Sequence, residues 1–426
     1  MNTSLTSMKN LIVTFLLALS ASGLFAQNFW YDNPYINFQK KDGSVANNFI
    51  ITDAGFAYGC DGMNNEFVNK FYKGGYLDSA FIEKSTNALL PVNRIGAHTN
   101  LGIIYSQKTK DTSGERWSLG FRRRMNISGR FSDDAFRLAF QGNTRFKGEE
   151  ADFSRTRFNS MSWTQIQFGY VTPQPQGMIS FSFSLLAGHR YNQADIEYGT
   201  LYTDSQGLNI TSSVSGDYWA SDTSNTTAFA LNGMGTSVDI TYLWYEELPR
   251  GNFHSVRFDL IDFGFINWNN KTIHQTVDTS FEWSGIDVTP FFIDPNYVAQ
   301  LPSESDFIKS DTGEFHRSIF LPAVARGMYT RWLYVSRVMM KVQFAVPLWS
   351  EAIPYGAVTT GWRNDDFMVS TGIAYGGYAR VQVPIKAEIF ALPQSCLEIG
   401  TTNALSLFSP DALAAGGAYL KLSYSF

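Results

Sequence analysis

Charge is scarce in this chain. Asp, Glu, Lys and Arg make up 17% of its 426 residues, against roughly 25% in ordinary soluble domains. Cysteine is scarcer, with Cys60 and Cys396 alone, so a disulfide-built scaffold and any CxxC metal or redox motif are excluded. The two thiols lie far apart in the chain and read as unpaired, a bridge between them being the alternative. The five histidines (His98, His189, His254, His274 and His316) have no metal-ligand spacing, and HExxH, GxSxG and P-loop motifs are all absent. No catalytic residue, metal site or cofactor is therefore assigned. A hydrolase would have to assemble Ser and His from neighbouring strands without a linear motif, for example His189 with Ser184 or His254 with Ser255, and rim histidines bonded locally are the plainer reading. After residue 26 no stretch approaches the ~18 to 20 apolar residues of a spanning helix, which excludes a helical membrane bundle. A net charge of −5 argues against a nucleic-acid partner.

What the chain has instead is aromatics, at 15%, together with 35 glycines and a persistent period of two. Mean hydropathy is near neutral at −0.15, as expected when apolar and polar residues alternate along strands. At the N-terminus Lys9 precedes the apolar run 11–26, which ends in small residues; residues 1–26 read as a secretory signal. Residues 27–47 lack periodicity and read as a periplasmic lead-in. At the other end AYLKLSYSF alternates cleanly, with Leu420, Leu422, Tyr424 and Phe426 on one face and Lys421 and Ser423 on the other.

Between these ends the alternation predicts about fourteen strands over 48–426, an all-β transmembrane antiparallel barrel with short helical insertions. The best hairpin joins 161–171 to 178–190. Insertions fall at 59–90, 130–158, 191–233 and 267–317. The first holds two short helices around Gly74-Gly75, and the second a helix capped by Ser132. The Asp61–Glu66 run has a calcium-loop flavour without EF-hand spacing, and reads as a solvated helix start. Pro384 predicts a break in the strand 378–390. Arg123 falls on the apolar face of its strand, where mid-bilayer burial would cost roughly 2 to 4 kcal/mol; an interfacial position or a bulge is expected.

The terminal Phe426 resembles the ending by which bacterial outer-membrane barrels are recognised for assembly. The runs NRIGAHTNLGIIY, GRFSDDAFRLAFQGN, LIDFGFINWNNKTIHQT and IAYGGYARVQVPIKAEIF resemble a family of uncharacterised Bacteroidetes outer-membrane barrels. That family is in turn distantly similar to the fourteen-stranded long-chain fatty acid transporters. The resemblance implies a bacterial outer-membrane location, with membrane lipid and the barrel-assembly machinery as partners, the latter through the strand ending in Phe426. It implies no solute.

Parity then sorts the polar face. Arg122, Arg124, Asn126, Gln165, Gln167, Asp239, Arg257, Asp259, Lys341, Gln343, Arg380, Gln382, Lys386, Glu388 and Lys421 are expected to line the lumen, with Glu398 beside them. The basic members outnumber the acidic ones, a bias toward anionic solutes if the charges are not simply paired across the wall. Phe67, Phe71 and Phe81 on the first insertion are expected to plug or cap the barrel. The functional expectation is passage of small or amphipathic solutes through a partly plugged polar lumen. The alternative is an anchor whose outer loops bind surface or secretion proteins.

Overall fold

The structure, a computed structural model, describes residues 47–110, 114–249, 252–283, 308–311, 316–333, 337–390, 394–409 and 412–426. The expected signal, 1–26, and nearly all of the expected lead-in, 27–47, lie outside them.

Fourteen antiparallel strands close into a barrel. In chain order they are β1 (Asn48–Asn64), β2 (Val92–Lys108), β3 (Arg116–Ser132), β4 (Thr156–Gln174), β5 (Gly177–Thr203), β6 (Gly233–Leu248) and β7 (Asn252–Trp268). They continue with β8 in two pieces (Arg317–Phe320 and Ala323–Leu333), β9 (Val338–Leu348), β10 (Ile353–Arg363) and β11 (Phe367–Gly377). The last are β12 in two pieces (Ala379–Gln382 and Ile385–Ile389), β13 (Ser395–Thr401) and β14 (Leu413–Ser425). β14 pairs with β1, which closes the wall and leaves no edge to satisfy.

The two faces of the wall differ as the alternation demands. Register places Ile103, Phe121, Ile166 and Leu185 side by side on β2 to β5, and all four are exposed. One position along, on the opposite face, Asp53, Gly102, Arg122 and Gln165 are neighbours. Apolar side chains meet the surroundings and charged ones are buried, the inverse of a soluble protein, so the exposed band is stable only against lipid. The protein is an outer-membrane barrel.

Local sequence explains the departures from regular strand. β1 runs on to Asn64, past the expected boundary at 59, and Asn64 caps α1 (Asn65–Lys73) by accepting from the Phe67 N–H at 2.8 Å. Asp78 does the same for α2 (Ser79–Thr86), and Ser132 for α3 (Asp133–Gln141). Asp61 is no solvated loop residue: it is buried on β1 and accepts from the Arg94 N–H at 2.6 Å. Pro384 separates the two pieces of β12, where the Val383 N–H turns to the Asn403 side chain at 3.0 Å instead of to a ladder partner. Beyond its pairing with β6, the upper end of β5 extends the same sheet with Ile210–Ala220, Ile273–Trp283 and Ile308–Asp311. Much of the fourth insertion, 284–307 and 312–315, lies outside the described residues.

Candidate functional site

The polar inner face is organised as rows of charge. One row runs from Glu388 to Glu398, Lys421, Asp53, Gly102, Arg122 and Gln165 on seven successive strands. The like charges Glu388 and Glu398 stand directly opposite. Each is offset by a lysine, Lys386 at 2.5 Å from Glu388 and Lys421 at 3.8 Å from Glu398. Gly102 is the space that lets Asp53 and Arg122 approach: a Cβ there would lie 2.8 Å from Asp53 Oδ1 and 2.9 Å from Arg122 Cγ. Asn100 donates to the Asp53 carboxylate.

A second group crosses from β3 to β6, β7 and β8. β7 bulges between its pairings with Val238 and Ile240 of β6, and Asp262 there takes the left-handed conformation, φ 58°. That turn sends its carboxylate to Arg124, with which it forms an ion pair although the two strands are far apart in the wall. The Asp262 N–H donates to Asp239 Oδ1 at 2.7 Å, and Gln167 donates to Asp239 Oδ2 at 2.5 Å. Asp259 accepts from Thr241 at 2.7 Å, Arg257 at 2.9 Å and Arg326 at 2.7 Å. Every one of these charges is buried, and each is matched, as burial requires. The excess of basic charge expected from sequence shrinks accordingly, because Asp53, Asp262 and Arg326 had not been counted.

Lys341 and Gln343 are buried on β9, Asn126 is half-buried opposite His98, and Gln165 accepts from Trp163 Nε1 at 3.3 Å. Gln382 donates to the Gly376 carbonyl at 3.1 Å, and Arg380 reaches out of the row to the Ala88 carbonyl at 3.3 Å.

At the outer mouth two short connections fold inward. Tyr378, between β11 and β12, donates to Ser128 on β3 at 2.6 Å, and the Glu351 N–H, between β9 and β10, donates to the same hydroxyl oxygen at 2.8 Å. The Glu351 carboxylate sits 3.4 Å from Arg130 and 3.7 Å from Arg157. Arg94, Arg130 and Arg157 are directly opposite one another on β2, β3 and β4. The tyrosine fits because two glycines face it: a Cβ on Gly96 would lie 2.1 Å from its ring, and one on Gly59 would lie 3.0 Å from its carbonyl carbon. Sequence reading missed this contact, since nothing in a linear pattern joins residue 378 to residue 128.

The helices do not enter this group. Cys60, Ile95, Gly129 and Phe158 are in register, six residues along unbroken strands from Ala54, Leu101, Arg123 and Thr164. They therefore share the outward face of the wall. Phe67 and Phe81 pack there with Cys60, Phe131 and Phe136, the Phe67 and Phe81 rings stacking at 5.9 Å. The side chain of Phe71 lies outside the described residues. Both cysteines are free. Among the described residues no cluster of His, Cys, Asp and Glu has a metal-binding arrangement. His189 bonds to Thr164 and His254 to Glu246, neither to a serine.

The model of a family of unknown function, DUF5723, matches residues 48–375. The chain belongs to that family. No curated protein matches it. Among solved structures, the Pseudomonas putida toluene transporter TodX is similar at 10% identity and a TM-score of 0.43, with 91% of each chain covered. The Ralstonia pickettii toluene transporter TbuX is similar at 6% identity and a TM-score of 0.44, with 96% of each chain covered. At these scores the likeness carries no inference about a solute.

Proposed function

We propose that the DUF5723 barrel passes small or amphipathic solutes across the outer membrane through its charged interior, and that the inward-folded connections at Glu351 and Tyr378 close its outer mouth at rest. The observation that carries this reading is the pair of bonds from Tyr378 and the Glu351 N–H to Ser128, made across the barrel instead of along the wall. A barrel acting only as an anchor has no need of contacts that hold its mouth shut, and they leave the wall strands' own hydrogen bonding untouched. The charged rows below the mouth support a polar path, since charged side chains lining a passage bias which solutes cross it.

Reconstitution tests it. Wild-type protein in planar bilayers is expected to show small or infrequent conductance, and a Tyr378→Ala, Glu351→Gln variant larger or more frequent openings. Absence of conductance and of solute uptake from both proteins, each folded by heat-modifiable gel mobility, would refute the proposal. The partner-binding alternative has its own support in the sheet extension beyond β5, on which Phe281 and Trp283 are exposed. Deleting that extension is expected to leave passage intact.

A further inference from the structure

The outer wall carries a feature that passage does not use. Arg123 on β3 is in register with Thr164 on β4, and Arg190 on β5 with Ser162 on β4. All four lie on the face that carries Phe121 and Ile166, so two guanidiniums point outward from the barrel on either side of one strand. Sequence led to either an interfacial position or a bulge at Arg123, and register there is unbroken. The bulge is on β5 instead, where His189 is the extra residue between the pairings of Gly188 and Arg190.

The chain between β5 and β6 builds a frame around this place. Arg123 donates to the Ala228 carbonyl at 2.7 Å, and its guanidinium lies 4.5 Å from the Phe229 ring centroid. His189 bonds to Thr164 Oγ1 at 2.7 Å and to the Ala230 carbonyl at 2.8 Å, and its ring meets the edge of Phe229. Phe229, Leu231 and Met234 around it are 69%, 54% and 65% exposed. Among the described residues neither Arg123 nor Arg190 has a carboxylate at ion-pair distance, whereas the inner Arg124, Arg257 and Arg326 each pair with an aspartate. From Trp117 to Arg123 is about 20 Å of strand, or about 15 Å of height at the usual tilt of about 40° in an apolar band about 25 Å tall. That places the pair in the half of the band that meets the outer leaflet.

We infer that Arg123 and Arg190 form a binding site for the phosphate of a membrane lipid, with Phe229, Leu231 and Met234 against its acyl chains. Cation, ring and apolar rim meet on the outer-leaflet half of the wall, and an arginine without a carboxylate partner there takes a phosphate oxygen by charge-assisted hydrogen bonds. Free phosphate supplies the same oxygens without the chains, so the rim distinguishes the two sources.

Native mass spectrometry of the full-length protein in detergent tests this, with phosphatidic acid as probe, diacylglycerol of the same chains as control and inorganic phosphate as competitor. The wild type is expected to retain phosphatidic acid, to retain diacylglycerol much less, and to resist millimolar inorganic phosphate. At about 1 kcal/mol for each basic residue near a charged surface, Arg123→Gln with Arg190→Gln is expected to lower retention on the order of 25-fold, while Arg123→Lys with Arg190→Lys recovers most of it. Equal retention of both lipids, equal retention by the glutamine variant, or displacement by millimolar inorganic phosphate would each overturn the proposal. Heat-modifiable mobility identifies any variant that has not folded; Arg190→Gln alone, at the more exposed site, then provides the reading.

Discussion

The two halves of the barrel are built to different heights. β1 to β7 have 16 to 27 residues each, whereas β8 to β14 are made of pieces no longer than 13 residues. A strand needs about 9 to 11 residues to cross the membrane, so the second half stops near the outer surface and the first rises well beyond it. The tall half must then bury strand faces that no longer meet lipid. It does so with α1, α2 and α3 over its outward face, while on its inner face Trp163, Leu186, Tyr191, Ile266, Trp268 and Leu321 pack together. The short half has no such faces. Its connections are free to bend inward, and Tyr378 and Glu351 end on the tall half's β3. The asymmetry makes the mouth an interface between two walls.

The largest effect is expected where the interior of the tall half depends on one ion pair. Arg124→Ala leaves Asp262 buried and unmatched, and is expected to cost about 3 to 5 kcal/mol in denaturant unfolding from lipid vesicles. Arg124→Met with Asp262→Leu is expected to cost far less, because no charge is stranded. A next, smaller effect separates the halves directly. Gly96→Val pushes a side chain into Tyr378 and is expected to cost about 1 to 3 kcal/mol and to raise conductance. Gly356→Ala on β10 meets nothing within 4 Å, and is expected to fall within about 0.5 kcal/mol of wild type.

These sites also show what the sequence could and could not reveal. Alternation alone locates Arg122, Gln167 and Lys421 on one face, and the caps at Ser132 and Pro384's break follow from local chemistry. Asp53 is harder to sort, because alternation over 48–58 is weak. Asp262 was illegible because a bulge cancels parity at the residue it serves. Tyr378 and Ser128 meet only because two walls of unequal height enclose one space, a fact about closure that no window along the chain contains. Arg123 drew notice as a charge on an apolar face, and its frame came from a loop that read as featureless.

The smallest effect concerns that loop. Hydrogen bonds from the Ser224 hydroxyl, at 2.6 Å, and its N–H, at 2.9 Å, hold the Asp222 carboxyl below its usual 3.8, with Lys271 3.7 Å away. A depressed carboxyl contributes stability above its unfolded value that is lost as pH falls through the folded one. Amide protection factors over 221–232, which divide out the intrinsic pH dependence of exchange, are therefore expected to be steady from neutral pH down to about pH 4 and to fall below it, and Asp222→Asn to abolish that dependence. Unchanged protection at pH 3 would remove Asp222 from the account.

The claim that the short half closes the mouth of the tall half is tested most directly by cross-linking. The Glu351 N–H lies 2.8 Å from Ser128 Oγ, which puts the two Cα atoms within the ~4.4 to 6.8 Å that a disulfide spans. In outer membranes of intact cells, Ser128→Cys with Glu351→Cys is expected to oxidise nearly completely, and to hold conductance closed until a reductant is added. Free thiols at both positions under oxidising conditions, or full conductance with the bridge formed, would contradict it.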